Sequence, residues 1–183
     1  MEKRNRVKEY PKSMRLAGYN YSWPGAYFVT VCTFEKRCLF GRVDNEKMHI
    51  NAYGKIVKRE WISACKSYPD VYCDYYIVMP NHFHGVVFIN APAGAIAGSP
   101  QQKDWAPVTR KDRRQMLLPK IIGRFKMQTA KNINFMRNTS GSAIWQRSYY
   151  DHIIRNEEDL TRIREYIINN PIKWELDRFF IAP

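Results

Sequence analysis

Two apolar runs meet across a single proline–asparagine pair, and this juncture limits the folds available to the chain more than any other feature. Tyr72 to Met79 (YCDYYIVM) and His84 to Ile89 (HGVVFI) are rich in β-branched and aromatic residues, and Pro80-Asn81 stands between them as a turn. Residues so close in sequence pair antiparallel. A third such run, Ala26 to Phe34 (AYFVTVCTF), follows Gly25 and reads as a central strand. Between it and the paired runs, Ala52 to Tyr68 changes to helical spacing, with Ile56, Val57, Trp61, Ala64, Cys65 and Tyr68 in one apolar stripe that Pro69 ends.

The second half repeats the alternation. A helix is expected from about Pro119, with Leu118, Ile121, Ile122 and Phe125 on its buried side and Lys120, Arg124 and Lys131 on one solvent stripe. Ala143 to Tyr150 and Asp151 to Arg155 carry extended character. A last helix opens with Asn156 as its cap and with Glu157, Glu158 and Asp159 in its positive first turn, and Pro171 stops it. The order β-α-β-β-α-β followed by a helix predicts an α+β fold of the ferredoxin-like, split β-α-β type: an antiparallel sheet with helices on one face and a separate C-terminal helix.

The 183 residues suit one domain, expected over 19–183, behind a basic N-terminal arm over 1–18. Residues 91–107 (APAGAIAGSPQQKDWAP) are small and aperiodic and read as a flexible loop inside that domain. No apolar run is long enough to cross a bilayer, and the N-terminus lacks the apolar core of a secretion signal. The four cysteines (Cys32, Cys38, Cys65, Cys73) form no C-x-x-C pair and read as reduced core residues of a cytoplasmic protein.

Thirty Lys and Arg against 17 Asp and Glu leave a net charge of +13. That excess favours polyanionic partners, because each neutralised phosphate releases condensed counterions. Nucleic acid fits better than a membrane, since the cations are spread along the chain instead of flanking an amphipathic anchor. The phosphate contacts expected are Arg110, Lys111, Arg113 and Arg114 of the RKDRR segment, with Lys120, Arg124 and Lys126 beyond it. Trp105 and Tyr149 are candidates for stacking on unpaired bases.

Chemistry concentrates among the histidines. His82 and His84 are two apart in an extended segment, so both imidazoles leave the same face while Phe83 turns inward. The spacing suits chelation of a divalent ion, although unrelated strand histidines would share it. On the last helix Tyr166 and Asn170 are four apart and share a face, with Leu160, Ile163 and Ile167 marking the core side. Taken alone, a tyrosine at that margin reads as ordinary packing. His152 and Asp151 lie beside Tyr149 and Tyr150; His152 could orient a metal-bound imidazole or serve only in a structural hydrogen bond. His49 reads as a surface residue.

Several segments together resemble a known family. PNHFHGVVFI, WQRSYYDHIIRNEEDL and REYIINNPIKW, preceded by GAYFVTVCTF, look like the HUH-type single-tyrosine transposases, closest to the REP-associated branch, over about Arg15 to Trp174. The resemblance implies a metal-dependent endonuclease and strand transferase for single-stranded, hairpin-forming DNA, working through a 5′-phosphotyrosine in DNA transposition. It makes Tyr166 the nucleophile, ahead of Tyr149 and Tyr150, and His82, His84 and Asn170 the holders of Mg²⁺ or Mn²⁺. It implies no nucleotide cofactor and either a monomer or a homodimer. A module that grips hairpins without cutting them is the alternative, and a hydrolase that activates water at the histidine pair is a third.

Overall fold

Strand β1 (Gly25–Cys32) is buried along nearly its whole length. Such a run must be covered on both faces, and its neighbours explain how. The computed structural model describes residues 16, 18–90 and 109–181; apart from Leu16 and Gly18, the expected arm lies outside these, as do the expected loop at 91–107 and Trp105. After β1 come a hairpin of β2 (Gly41–Asp44) and β3 (Lys47–Ile50), helix α1 (Ala52–Lys66), and strands β4 (Val71–Val78) and β5 (His82–Ile89). Helices α2 (Arg110–Gln115) and α3 (Leu117–Arg137), strand β6 (Tyr150–Ile154) and helix α4 (Glu157–Asn169) complete the order.

The main sheet runs β4-β5-β1-β6, and every neighbouring pair is antiparallel. β1 and β4 are thus parallel with β5 between them, and β5 and β6 are parallel with β1 between them. This is the interleaved β-α-β arrangement expected from the sequence. Tyr27, Val29 and Val31 of β1 face one large core, where α1 brings Ile56, Val57 and Trp61 and α3 brings Leu118, Ile121, Ile122 and Phe125. Alternate residues face the other way: Ala26 and Phe28, with Val86 and Ile154, pack against Leu160, Ile163 and Ile167 of α4. So α1 and α3 share one face, and α4 with the segment after it covers the other. Trp61, Trp145 and Trp174 are all buried.

Four local readings need correction. The β2–β3 hairpin was not anticipated: its turn carries Asn45 and Glu46, both at positive φ (47° and 60°), without the glycine that usually announces such a turn. β5 begins at His82, two residues earlier than the apolar run. The extended stretch after Ala143 yields one isolated bridge at Trp145 before β6 begins. The cysteines differ most. Cys65, in the last turn of α1, and Cys73, on the α1 side of β4, are disulfide-bonded with Cα atoms 6.0 Å apart, and Cys38 is exposed. A helix ending on the strand it leads into brings the two thiols together although they are eight positions apart.

At Gly85 helix α1 and the sheet approach closely. A Cβ at that position would lie 2.7 Å from the Trp61 ring and 2.8 Å from the Phe83 ring, both buried in the core. Gly85→Ala therefore overpacks the α1–β5 contact and should lower stability by about 1–3 kcal/mol, read as a shift of the urea midpoint with an unchanged slope.

Candidate active site

The pleat of β5 places Phe83 in the large core and turns His82 and His84 to the α4 side, both fully buried, with ring centroids 4.5 Å apart. Each imidazole is held at Nδ1. His82 Nδ1 lies 2.9 Å from Asn81 Oδ1, and His84 Nδ1 lies 2.8 Å from the hydroxyl of Thr30, its partner across the β1–β5 ladder. Asn81 donates through Nδ2 to the carbonyls of Lys36 (3.1 Å) and Phe179 (2.7 Å), so its Oδ1 can only accept. His82 Nδ1 therefore carries the proton, and Nε2 is left as a bare lone pair, buried and without a hydrogen-bond partner.

Burial pushes the His82 imidazole down to about 4, partly offset by the Asp177 carboxylate. Burial also holds His84 well below its ordinary range, helped by His82 and the Arg178 guanidinium. Both rings are neutral at pH 7, the form that ligates metals.

Helix α4 brings the tyrosine. Its apolar stripe sits on the small core, and Tyr166, at the margin of that stripe, points its hydroxyl to 3.2 Å from His84 Nε2. The ring is edge-on to Phe28, 6.1 Å between centroids. Burial, and next the Asp177 carboxylate, push the phenol up to about 12; Arg178 and Asn170 act in the opposite sense. Asn170 caps the C-terminal end of α4 and is buried: Nδ2 donates to Asp177 Oδ2 at 2.9 Å, and Oδ1 has no partner.

Asp177 is the residue that sequence reasoning missed. It follows a short 3-10 turn (Trp174–Leu176) and accepts at Oδ1 from the Phe179 backbone N–H at 2.7 Å, while the Tyr166 hydroxyl donates to its Oδ2 across 3.5 Å. Ligand atoms of His82, His84 and Asp177 all lie within 4.8 Å of one another. Among the described residues this is the one group of three such side chains able to hold a metal ion. Two orphaned buried acceptors, one nitrogen and one amide oxygen, beside a carboxylate form a mixed N/O donor set that fits a divalent cation.

The other expected residues lie elsewhere. His152 of β6 bonds Asp159 Oδ2 through Nε2 at 2.7 Å, and not to either imidazole of β5. Tyr149 packs at the large core, and Tyr150 lies on the α4 side of β6. Lys111 and Arg114 of α2, and Lys120 and Arg124 of α3, are exposed; Arg110 and Arg113 belong to the same short α2. α3 packs on the face of the sheet opposite the histidines. Lys126 reaches back to the carbonyls of Gln146 (2.6 Å), Arg147 (3.1 Å) and Ser148 (3.4 Å), so its ammonium ties α3 to the segment before β6.

No family model matches the chain. Its fold is that of a REP-associated tyrosine transposase: a structure of one such enzyme bound to a REP hairpin is similar over 90% of this chain and 74% of that one, with a TM-score of 0.50 and 17% identity. The chain belongs to the same protein family as an uncharacterized protein of Haemophilus influenzae, with which it is 37% identical over 170 residues, 93% of each chain. No helix among the described residues is long and apolar enough to cross a membrane.

Two tests follow from the histidine pair. Unfolded imidazoles protonate near 6.5, whereas native His82 does so near 4. Between those values the unfolded chain binds more protons, so stability is full above pH 6.5 and falls as pH drops towards 4, by at most about 1.4 kcal/mol per pH unit for each histidine. Urea titrations in chelator at a series of pH values will show this. Asn81→Ala frees the His82 ring and should weaken Mn²⁺ binding about 10–100-fold by calorimetry.

Proposed function

We propose that this protein is a metal-dependent strand transferase for single-stranded, hairpin-forming DNA, with Tyr166 as nucleophile. One observation carries the reading: a half-buried phenol on α4 lies 3.2 Å from His84, one of a buried imidazole pair on β5, beside a carboxylate and an orphaned amide oxygen. His82 Nε2, His84 Nε2 and the Asp177 carboxylate are the metal-holding groups, with Asn170 Oδ1 as a further oxygen donor. A divalent ion bound there supplies positive charge beside the phenol and a Lewis acid for a phosphate oxygen.

The protein's own residues supply the rest. Tyr166 is fixed in direction by the packing of α4 and by Phe28, which limits the attack geometries open to it. Its oxygen attacks the scissile phosphorus, the bond to the 3′-oxygen breaks, and the 5′-phosphate stays on the tyrosine. The proton lost by the phenol is balanced by the one the departing 3′-hydroxyl gains. Because the ester bond is conserved, a 3′-hydroxyl can reverse the step and join strands without a nucleotide cofactor. The hairpin-bound state of the structurally similar transposase supports DNA as the partner. So does the net charge of +13.

Incubation with Mn²⁺ and a single-stranded hairpin oligonucleotide should give a covalent protein–DNA adduct that survives a denaturing gel. Chelator and Tyr166→Phe should each abolish it. Cleavage that persists in Tyr166→Phe without an adduct would identify a hydrolase instead. Tight hairpin binding with no adduct under any metal would reduce the protein to a binding module.

A further inference from the structure

Strand β4 carries one residue too many for its partner. Cys73 pairs with Val87 of β5 and Tyr76 pairs with Gly85, so Asp74 and Tyr75 together oppose Val86 alone. A bulge of this kind re-aims side chains. Here both consecutive residues reach one guanidinium. Asp74 Oδ2 accepts from Arg164 Nε of helix α4 at 2.7 Å, and the Arg164 guanidinium lies 5.4 Å from the centre of the Tyr75 ring. The exposed Glu157 carboxylate, 3.8 Å from Arg164 Nη1, is a looser third neighbour. The bulge is anchored at both ends: Cys73 before it is tied to α1 through Cys65, and Tyr76 after it stacks on Phe83 in the large core, 6.2 Å between ring centroids.

Arg164 stands two residues before Tyr166, and the two flank the apolar stripe of α4 from opposite sides. Arg164 leans to the edge strand β4, whereas Tyr166 leans to His84 of β5 and Phe28 of β1. Leu160, Ile163 and Ile167 hold the helix down, but apolar burial is non-directional and sets its roll only loosely. The His152–Asp159 bond tethers the first turn of α4 to the other edge strand, β6, and a single tether leaves a pivot. The phenolic oxygen is about 6 Å or more from the helix axis, so a roll of about 10–15° carries it about 1 Å or more and breaks its contact with His84. Resting on the strand-transfer reading above, we infer that Arg164 is a positioning residue: clamped by the bulge of β4, it fixes the roll of α4 and so the line along which the Tyr166 hydroxyl meets the phosphorus. The pair is partly open to solvent, so it adds little to stability and acts through direction.

The test uses the full chain with Arg164→Gln, Asp74→Asn and the double variant, each checked as folded by thermal melting. Asp74→Asn is isosteric and decides alone if Arg164→Gln melts early. Single-turnover adduct formation with Mn²⁺ and saturating hairpin oligonucleotide should slow about 10–100-fold in either single variant, with hairpin and Mn²⁺ affinities unchanged. The double variant should be no slower than the singles, because all three remove one clamp. A second measurement needs neither metal nor DNA: the ¹⁵N resonance of His84 Nε2, displaced by Tyr166→Phe, should move the same way in Arg164→Gln and Asp74→Asn. Wild-type rates in the single variants, losses that multiply in the double variant, or a His84 resonance that stays in place overturns the proposal. A matching loss of hairpin affinity overturns it too, since Arg164 would then be a DNA contact. If the wild-type protein forms an adduct and the variants keep pace, the clamp falls and the transferase stands. If no protein forms an adduct, a displaced His84 resonance keeps Arg164 as the residue that orients Tyr166 and removes the transferase.

Discussion

The site depends on the two-residue period of one strand. β5 is buried on both sides, but its sides differ in kind: Phe83, Gly85 and Val87 lock into helices α1 and α3, and His82 and His84 project towards α4. Because Trp61 closes onto the bare backbone of Gly85, the strand cannot slide without forcing a ring out of the core. A slip of one residue would bury both imidazoles among apolar side chains and expel Phe83. Core packing on one face thus fixes the chemistry on the other, with no free rotation left except in the rings. Asn81 and Thr30 remove that as well.

Asn81 also joins parts of the chain that sequence leaves far apart. One amide links the turn before β5, the carbonyl of Lys36 after β1 and the carbonyl of Phe179 near the C-terminus. Phe179 in turn lays its ring 4.7 Å from His82 and donates its N–H to Asp177. The carboxylate and the histidines are therefore positioned by the same small network, which explains how a short C-terminal segment delivers a charged group to a buried site.

Much of this was legible in the sequence, and the reasons differ by residue. The paired strands, the stripe of α1 and the Asn156 cap follow from local periodicity and capping, which a sequence displays directly. H-x-H in a strand and Tyr166 with Asn170 one turn apart give two faces but not their meeting, which rests on α4 crossing the sheet opposite α1 and α3. Asp177 was invisible because it belongs to no periodic element and reaches the site only through Phe179 and Asn170. Cys65 and Cys73 were misread because pairing depends on how a helix returns to its strand. Lys126 looked like one more cation on a basic helix, yet its ammonium is bound by three backbone carbonyls.

The electrostatics of the site argue for a cation more strongly than the donor set does. The neighbours of Tyr166 are two neutral imidazoles, a carboxylate and an amide, and burial together with that carboxylate raises the phenol. A phosphodiester brought to the hydroxyl would add a second negative charge beside Asp177 and make loss of the phenolic proton harder still. Arg178 opposes this only in part, because its guanidinium lies over Tyr150 and Phe179 and not on the carboxylate. The basic surface of α2 and α3 is on the far side of the sheet and is screened by solvent, so it cannot offset charge at the Tyr166 hydroxyl. In the proposed reaction the compensating charge would sit within the cluster, at the bare nitrogen of His82 and the oxygen of Asn170, two buried polar atoms beside Tyr166 that have no hydrogen-bond partner.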